Sequence, residues 1–569
     1  MRARTLVLAA VALAGFTPRA AAAQYVELAP RRGGVRAPVT DPYLKPGDDA
    51  RLGIPRPEAF ARRYEAGANA RLGPFPVLII PALFSDSRTP AIQPDALADA
   101  LFRGPAPGAA LVRFYDELSR GRLRMTGTVL PWVRTAVTLM EAASEVEGHG
   151  WIGERMADYV AQAVQRADSL VDYGQFDNDG PDGVPNSADD DGIVDAIAIE
   201  YPEVGGSCGG PGPWPHLSAI SPGVSTQDRR LNGQPIRVVR YISEGVTDCS
   251  GTLVQDPSTI AHELGHTLGL PDDYQSFGGS GYQYRRWNVG CFELMGGGSW
   301  GCGTGPKQSG FGPTHMGPLH LSTLGWVEAD IIAPGTVNAD VTLQPVQSAQ
   351  GRILKIPLSD DGMEFYLVEY RQRVGFDAAL PAEGVLIWHV DPFVGARAIP
   401  EGLPWVSPYH LVEADGDNAL RKLEAEGGNR GVAADVFTLG SRVDSLTDRT
   451  RPSTRDHLGR TTGVAVRDIR IENGVARMRV TTRDRFAVVA RTSGALQATT
   501  AHETVLRTAG GSAPLTVTTM AGYPLPPGLS VAASGDVIRV AGTPTRAGLQ
   551  LAALEVRDAA GRTLTEWLS

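Results

Sequence analysis

Two histidines four residues apart, with a glutamate between them, stand in Asp256-Pro-Ser-Thr-Ile-Ala-His-Glu-Leu-Gly-His-Thr-Leu-Gly-Leu-Pro-Asp-Asp-Tyr274. On a helix that spacing puts His262 and His266 on one face, where two imidazoles can grip a single zinc ion. Glu263 can then reach a water at the metal from the side and serve as general base. Asp272 follows a turn and can supply a third ligand. Three protein ligands leave one position open, the arrangement of a catalytic rather than a structural zinc. Asp273 is a rival for the third place, because a one-residue slip in the turn would exchange the two. Glu293 is the other, but it sits in a Gly-rich turn rather than on a helix.

The helix that carries the pair has its own signals. Asp256 suits an N-cap, Pro257 the first helical position, and Gly269 a left-handed stop. Upstream, residues 75–84 read as a buried strand, 95–102 and 110–120 as helices, and 122–130 as an alternating strand. Residues 141–171 are Ala-rich and amphipathic and are expected to form one long helix; 193–200 read as a strand. The Gly-rich stretch 278–313 must be irregular. From about 335 to 482, short β-type runs such as 351–357, 365–370 and 384–390 alternate with turn residues, as in an all-β module.

A second constellation is acidic. Between Asp177 and Asp195 seven aspartates fall within 19 residues, interleaved with glycines. Carboxylates packed so densely repel one another unless a hard cation with many oxygen ligands relieves them, and calcium fits best. Asp177, Asp179, Asp182, Asp191 and Asp195 are the expected ligands. The spacing is not that of an EF-hand.

The chain has 569 residues, 42% hydrophobic and 20% charged, enough for several domains with sizeable cores. Its formal net charge of −10 argues against a nucleic-acid partner. Arg2 and Arg4, an apolar run over 5–16 and Ala21-Ala22-Ala23 read as a secretory signal over 1–23. No apolar run is long enough for a stable membrane span. Four cysteines in an exported chain favour disulfides. Of three connectivities, the local one, Cys208 with Cys249 and Cys291 with Cys302, is preferred. Gly303-Thr-Gly-Pro-Lys307 lacks the ending of a phosphate loop, and no GxSxG elbow is present.

His262, Glu263, His266, Gly269 and Asp272 together resemble the HExxHxxGxxD motif of the immune inhibitor A-type metallopeptidases, a metzincin-like family. Glu293-Leu-Met-Gly-Gly-Gly-Ser-Trp300 is similar to a Met-turn, which would place Met295 beneath the zinc. The stretches 114–129, Pro213-Trp-Pro-His216, 318–326, 380–391 and Val412-Glu-Ala-Asp-Gly416 extend the resemblance over about 72–482. It implies a zinc endopeptidase with calcium sites in the acidic stretch. His216 is read as structural or as a polar wall of the cleft. The acidic stretch is longer than the family's usual form. Met295 has no tyrosine two residues on, so a tyrosine ligand is not supported. Residues 487–569 resemble Ig-like bacterial surface domains.

The resulting expectation is an α+β chain, a metzincin-like zinc peptidase domain followed by all-β sandwich-type modules. The parts are a signal peptide (1–23), a leader or short prosegment (24–71), a zinc metallopeptidase domain (72–332), a β-rich domain (333–482) and an Ig-like domain (487–569). The activity expected is calcium-stabilised hydrolysis of protein or peptide substrates, secreted or held at the cell surface. The alternative is a calcium-binding adhesin on an inactive peptidase scaffold; the presence of Glu263 weighs against it.

Overall fold

The computed structural model describes residues 71–568, apart from 89, 181, 278, 280, 309, 360–363, 393–406, 439–442, 458, 494–500 and 546–551. The expected signal and all but the last residue of the expected leader lie outside the described residues.

The apolar run that opens the described chain is β1 (Gly73–Leu83), buried along most of its length. It pairs in parallel with β2 (Leu123–Val129) on one side and with β3 (Ile197–Tyr201) on the other. The long pair β4 (His216–Arg229) and β5 (Pro235–Gly245) completes the sheet, in the order β2-β1-β3-β5-β4. Parallel strands bury both faces, which is why β1 reads as a continuous hydrophobic run. Its side chains alternate accordingly. Phe75, Val77 and Ile79 meet α1 (Ala110–Ser119) and α3 (Ser258–Thr267) in one apolar cluster. Leu78, Ile80 and Ala82 meet α2 (Met156–Ala167) in another. β4 is antiparallel to β5 and forms one edge of the sheet.

The single helix expected over 141–171 is three pieces. One turn at Leu139–Ala142 is followed by a small hairpin of Glu145–Val146 with His149–Gly150, and only then by α2. Glu147 and Gly148 both take positive φ, which reverses the chain and ends any helix. The amphipathic pattern is real but belongs to α2 alone.

Beyond α4 (Pro318–Thr323) lie two sheets. One has the strand order Ala329–Ile331, Ile353–Pro357, Phe365–Arg371, Gly384–Val390, Tyr409–Leu411. The other joins Ala339–Leu343, Val475–Thr481, Ala465–Glu472 and Leu446–Thr447. Tyr366, Val368 and Ile387 of the first pack with Val466, Met478 and Val480 of the second. The opposite face of the first sheet, with Leu367, Trp388 and Leu411, joins the cluster that holds Leu319, Leu321 and the α3 residues. One apolar core thus runs from β1 across α3 into the β-rich part. The described residues between 487 and 568 form a four-stranded and a three-stranded sheet around Leu506, Ile538, Val540, Leu554 and Val556. Among the described residues no helix is long and apolar enough to cross a membrane.

Trp388 is fully buried in the shared core, stacks on Tyr409 and donates to Glu369 Oε1 at 3.2 Å. Trp388→Ala is expected to cost about 3–5 kcal/mol, read as a lower melting midpoint by circular dichroism. A variant as stable as the parent would show that this core does not hold the two regions together.

Candidate metal centre

Asp256 Oδ1 accepts the Ser258 N–H at 3.0 Å, so α3 starts one residue later than its sequence signals suggest. Both histidines and Glu263 are buried on it. Gly269 ends the helix with φ +87° and returns the chain toward the pair, bringing Asp272 to its place. His262 Nε2 lies 3.0 Å and His266 Nε2 3.5 Å from Asp272 Oδ1. The three donor atoms are all within 4.8 Å of one another.

The remaining ring nitrogens are occupied. His262 Nδ1 donates to Leu294 O at 3.0 Å and His266 Nδ1 to Leu270 O at 2.8 Å. A carbonyl only accepts, so each imidazole is oriented with Nε2 toward Asp272. Burial opposes charge on His266, but Asp272 outweighs it and lifts the ring to about 9. Burial would likewise raise Asp272, yet the two imidazoles hold it well below the usual carboxylate range. A dication held between the rings would meet the charge of that carboxylate. Two imidazole nitrogens and one carboxylate oxygen are a donor set that fits zinc with a position to spare. Burial pushes Glu263 up, against the pull of His262 and His266. Its Oε2 is buried and has no hydrogen-bond partner.

The rivals stand elsewhere. Asp273 faces His320 Nε2 at 3.5 Å. Glu293 takes His320 Nδ1 at 3.2 Å, the Met295 N–H at 3.2 Å and the Gly317 N–H. These two carboxylates and His320 tie the turn after α3 to α4 behind the centre. Met295 is fully buried against Gly265, where a Cβ would come within 2.4 Å of its Sδ.

A family profile described as immune inhibitor A peptidase M6, catalytic domain, matches residues 106–326. Through those residues the chain is similar to the catalytic domain of the immune inhibitor A peptidases. It is 28% identical over 239 residues to immune inhibitor A of Bacillus thuringiensis subsp. alesti, covering 39% of this chain and 33% of that protein. It is also 28% identical over 152 residues to the pre-pro-metalloprotease PrtV of Vibrio cholerae serotype O1 (strain M66-2), covering 25% of this chain and 15% of that protein. The chain therefore spans a third or less of the length of these relatives.

The matched region carries parts that its sequence does not announce. Trp214, Tyr274 and Trp300 line the cleft over His262 and Glu263, together with Arg285, Thr259 and Lys307. The Arg285 guanidinium lies 4.3 Å from the Tyr274 ring and 4.6 Å from that of Trp300. Their enrichment in aromatic residues was the available signal, but they are scattered over more than eighty positions. His216 is buried at the start of β4, with Nδ1 donating to Trp214 O at 2.6 Å; burial lowers it to about 4. It supports the cleft wall through Trp214 and is not among the residues facing His262. Both locally paired disulfides are present, Cys208–Cys249 and Cys291–Cys302.

The acidic stretch wraps inward. Asp177 is fully buried and neither of its carboxylate oxygens has a hydrogen-bond partner. Burial, then Asp190, Asp191 and Asp179, pushes it up to about 7; burial does the same for Asp195. Asp179 Oδ1 accepts the Asp191 N–H at 3.1 Å. Asp182 stands apart, exposed and bonded to its own turn at Val184 N. Asp190, passed over in the sequence, is buried beside Asp177 and accepts from Gly180 N and Ser187 N.

Because Gly265 touches Met295, Gly265→Ala is expected to displace the methionine and weaken the hold of α3 on the turn beneath it. A loss of about 1–3 kcal/mol from overpacking and a fall in zinc affinity, read by competition with a chromogenic chelator, are the expected outcomes. Unchanged stability and affinity would mean that Met295 does not support the centre.

Proposed function

We propose that this chain is an exported zinc endopeptidase, with His262, His266 and Asp272 as the metal ligands and Glu263 as general base. The observation that carries this reading is the convergence of the three donors beside an unpartnered, buried Glu263 oxygen. The metalloprotease description of the Vibrio relative supports it. The signal-like sequence over 1–23 and two disulfides support export.

Zinc, when bound, supplies the Lewis acid that polarises the scissile carbonyl and acidifies water. Glu263 takes the proton of the attacking water and passes it to the leaving amine. The neighbouring His262 and Asp272 keep that carboxylate within reach of the reacting atoms. β4 offers an antiparallel edge along which an extended peptide can pair, and the aromatic wall gives its side chains an apolar surface. Both favour cleavage within a chain rather than at its ends.

Calcium in the acidic stretch completes the proposal. Asp177, Asp179, Asp191 and Asp195 are its proposed ligands; the burial of Asp190 beside Asp177 supports including it, and the exposure of Asp182 puts that residue at the margin. Residues 487–568 are proposed as an Ig-like spacer or adhesion unit without chemistry of its own.

Purified protein should contain about one zinc per chain and cleave casein. Glu263→Ala should keep the zinc and lose about 100-fold or more of the activity, and a zinc chelator should abolish it. Zinc-free protein, or a Glu263→Ala variant as active as the parent, would overturn the reading. Asp177→Asn is expected to reduce the calcium bound in calorimetry and the rise in melting temperature that calcium produces. The same stoichiometry and the same rise would remove calcium from the acidic stretch.

A further inference from the structure

Four more carboxylates converge in the β-rich region. Glu413, Asp415 and Asp417 alternate along the turn that follows the strand Tyr409–Leu411, and Asp435 arrives from the turn Ala433–Asp435. One oxygen of each lies within 4.8 Å of the others. Glu413 and Asp435 form the floor, 2% and 0% exposed, while Asp415 and Asp417 close the site from the solvent side.

The floor is not satisfied by the protein. Glu413 Oε2 accepts the Leu420 N–H at 3.2 Å, but Oε1 is buried without a partner. Asp435 Oδ2 accepts the Val432 N–H at 2.8 Å, and Oδ1 is likewise buried without one. Leaving buried carboxylate oxygens unmet is costly. Burial, reinforced by Asp435 and Asp417, pushes Glu413 up to about 9, and burial pushes Asp435 to about 7. Arg421 offsets the rise in Glu413 only in part, and neither nearby cation bonds a carboxylate of the group. The Arg421 guanidinium bonds Asn418 Oδ1, and Lys422 Nζ bonds the Asp417 carbonyl at 2.7 Å. Among the described residues no ion pair reaches any of the four carboxylates.

We infer that Glu413, Asp415, Asp417 and Asp435 form a calcium-type cation site, separate from the acidic stretch at 177–195. The donors are all oxygens, three of them alternating along one turn, which suits a hard ion that accepts irregular coordination. No histidine or cysteine belongs to the set, so a transition metal is disfavoured.

The site also braces the zinc centre. Leu420, whose N–H is held by Glu413, accepts with its carbonyl the N–H groups of Trp287 and Asn288, both at 2.9 Å. Asn288 Nδ2 in turn holds the Asp273 carbonyl at 2.9 Å, next to Asp272. Trp287 packs on Tyr274 and Trp300 of the cleft wall. A cation on Glu413 fixes the loop from which this chain of contacts hangs.

The test uses the full chain, stripped with a calcium-selective chelator and titrated with calcium by calorimetry. The parent is compared with Asp415→Asn/Asp417→Asn, both exposed positions, and with Asp179→Asn/Asp191→Asn in the acidic stretch. The first variant is expected to lose one calcium, or to bind it about tenfold or more weakly, while the second keeps it. Melting curves give an independent signature. In chelator the Asp415→Asn/Asp417→Asn protein should melt at or above the parent, because repulsion is relieved; in calcium it should melt below. Equal calcium binding by variant and parent would overturn the site, as would a melting decrease of the same size with and without calcium. Neither readout needs a substrate, so failure here is distinct from failure of the peptidase reading.

Discussion

Two imidazoles and one carboxylate are held together in a buried place, and most of the neighbouring structure follows from that constraint. Charge in such surroundings must be compensated and every ring nitrogen accounted for. Leu294 and Leu270 therefore present carbonyls to the Nδ1 atoms of His262 and His266. Leu294 precedes Met295, so one turn both orients the His262 imidazole and fills the space beneath α3. Gly265 is the counterpart of that packing on the helix, since any side chain there would collide with the methionine sulfur. The Cys291–Cys302 disulfide closes the same stretch of chain.

The centre is not a property of the matched stretch 106–326 alone. Its sheet takes β1 from residues before that stretch, and its core continues into strands beyond it. Arg430 is fully buried and donates from Nε to Gly301 O at 2.8 Å and from Nη1 to Gly305 O at 2.5 Å. Its own carbonyl accepts the Cys291 N–H at 2.6 Å. The β-rich region thus positions both sides of the loop that includes Trp300. The cleft wall and its supporting scaffold are built from segments more than a hundred residues apart.

Several failures of sequence reasoning share one cause. The 141–171 stretch has helical periodicity, but periodicity does not register a reversal at Glu147 and Gly148 that costs two left-handed residues. Asp182 and Asp190 are equally acidic on paper; only the path of the loop turns Asp190 inward and leaves Asp182 in water. Glu413 and Asp415 were visible as part of a family resemblance, yet Asp417 and Asp435 complete the group from outside that stretch.

The sequence by itself determined what is local. A helix with two histidines on one face, a glycine stop and an aspartate just beyond it are set by spacings of three to six residues, and backbone geometry makes such spacings nearly unambiguous. The apolar β1 run and α1 were legible for the same reason, whereas the cysteine spacing left three pairings open and the fold selected the preferred one. Tertiary structure decided what depends on approach between distant segments. It set Asp272 beside His262 and His266, turned Asp273 and Glu293 toward His320, gathered the aromatic wall, seated His216 behind that wall and joined Asp435 to the 413–417 turn. Those outcomes rest on burial and on the pairing of charges and carbonyls across the fold, and neither is encoded in any short stretch of residues.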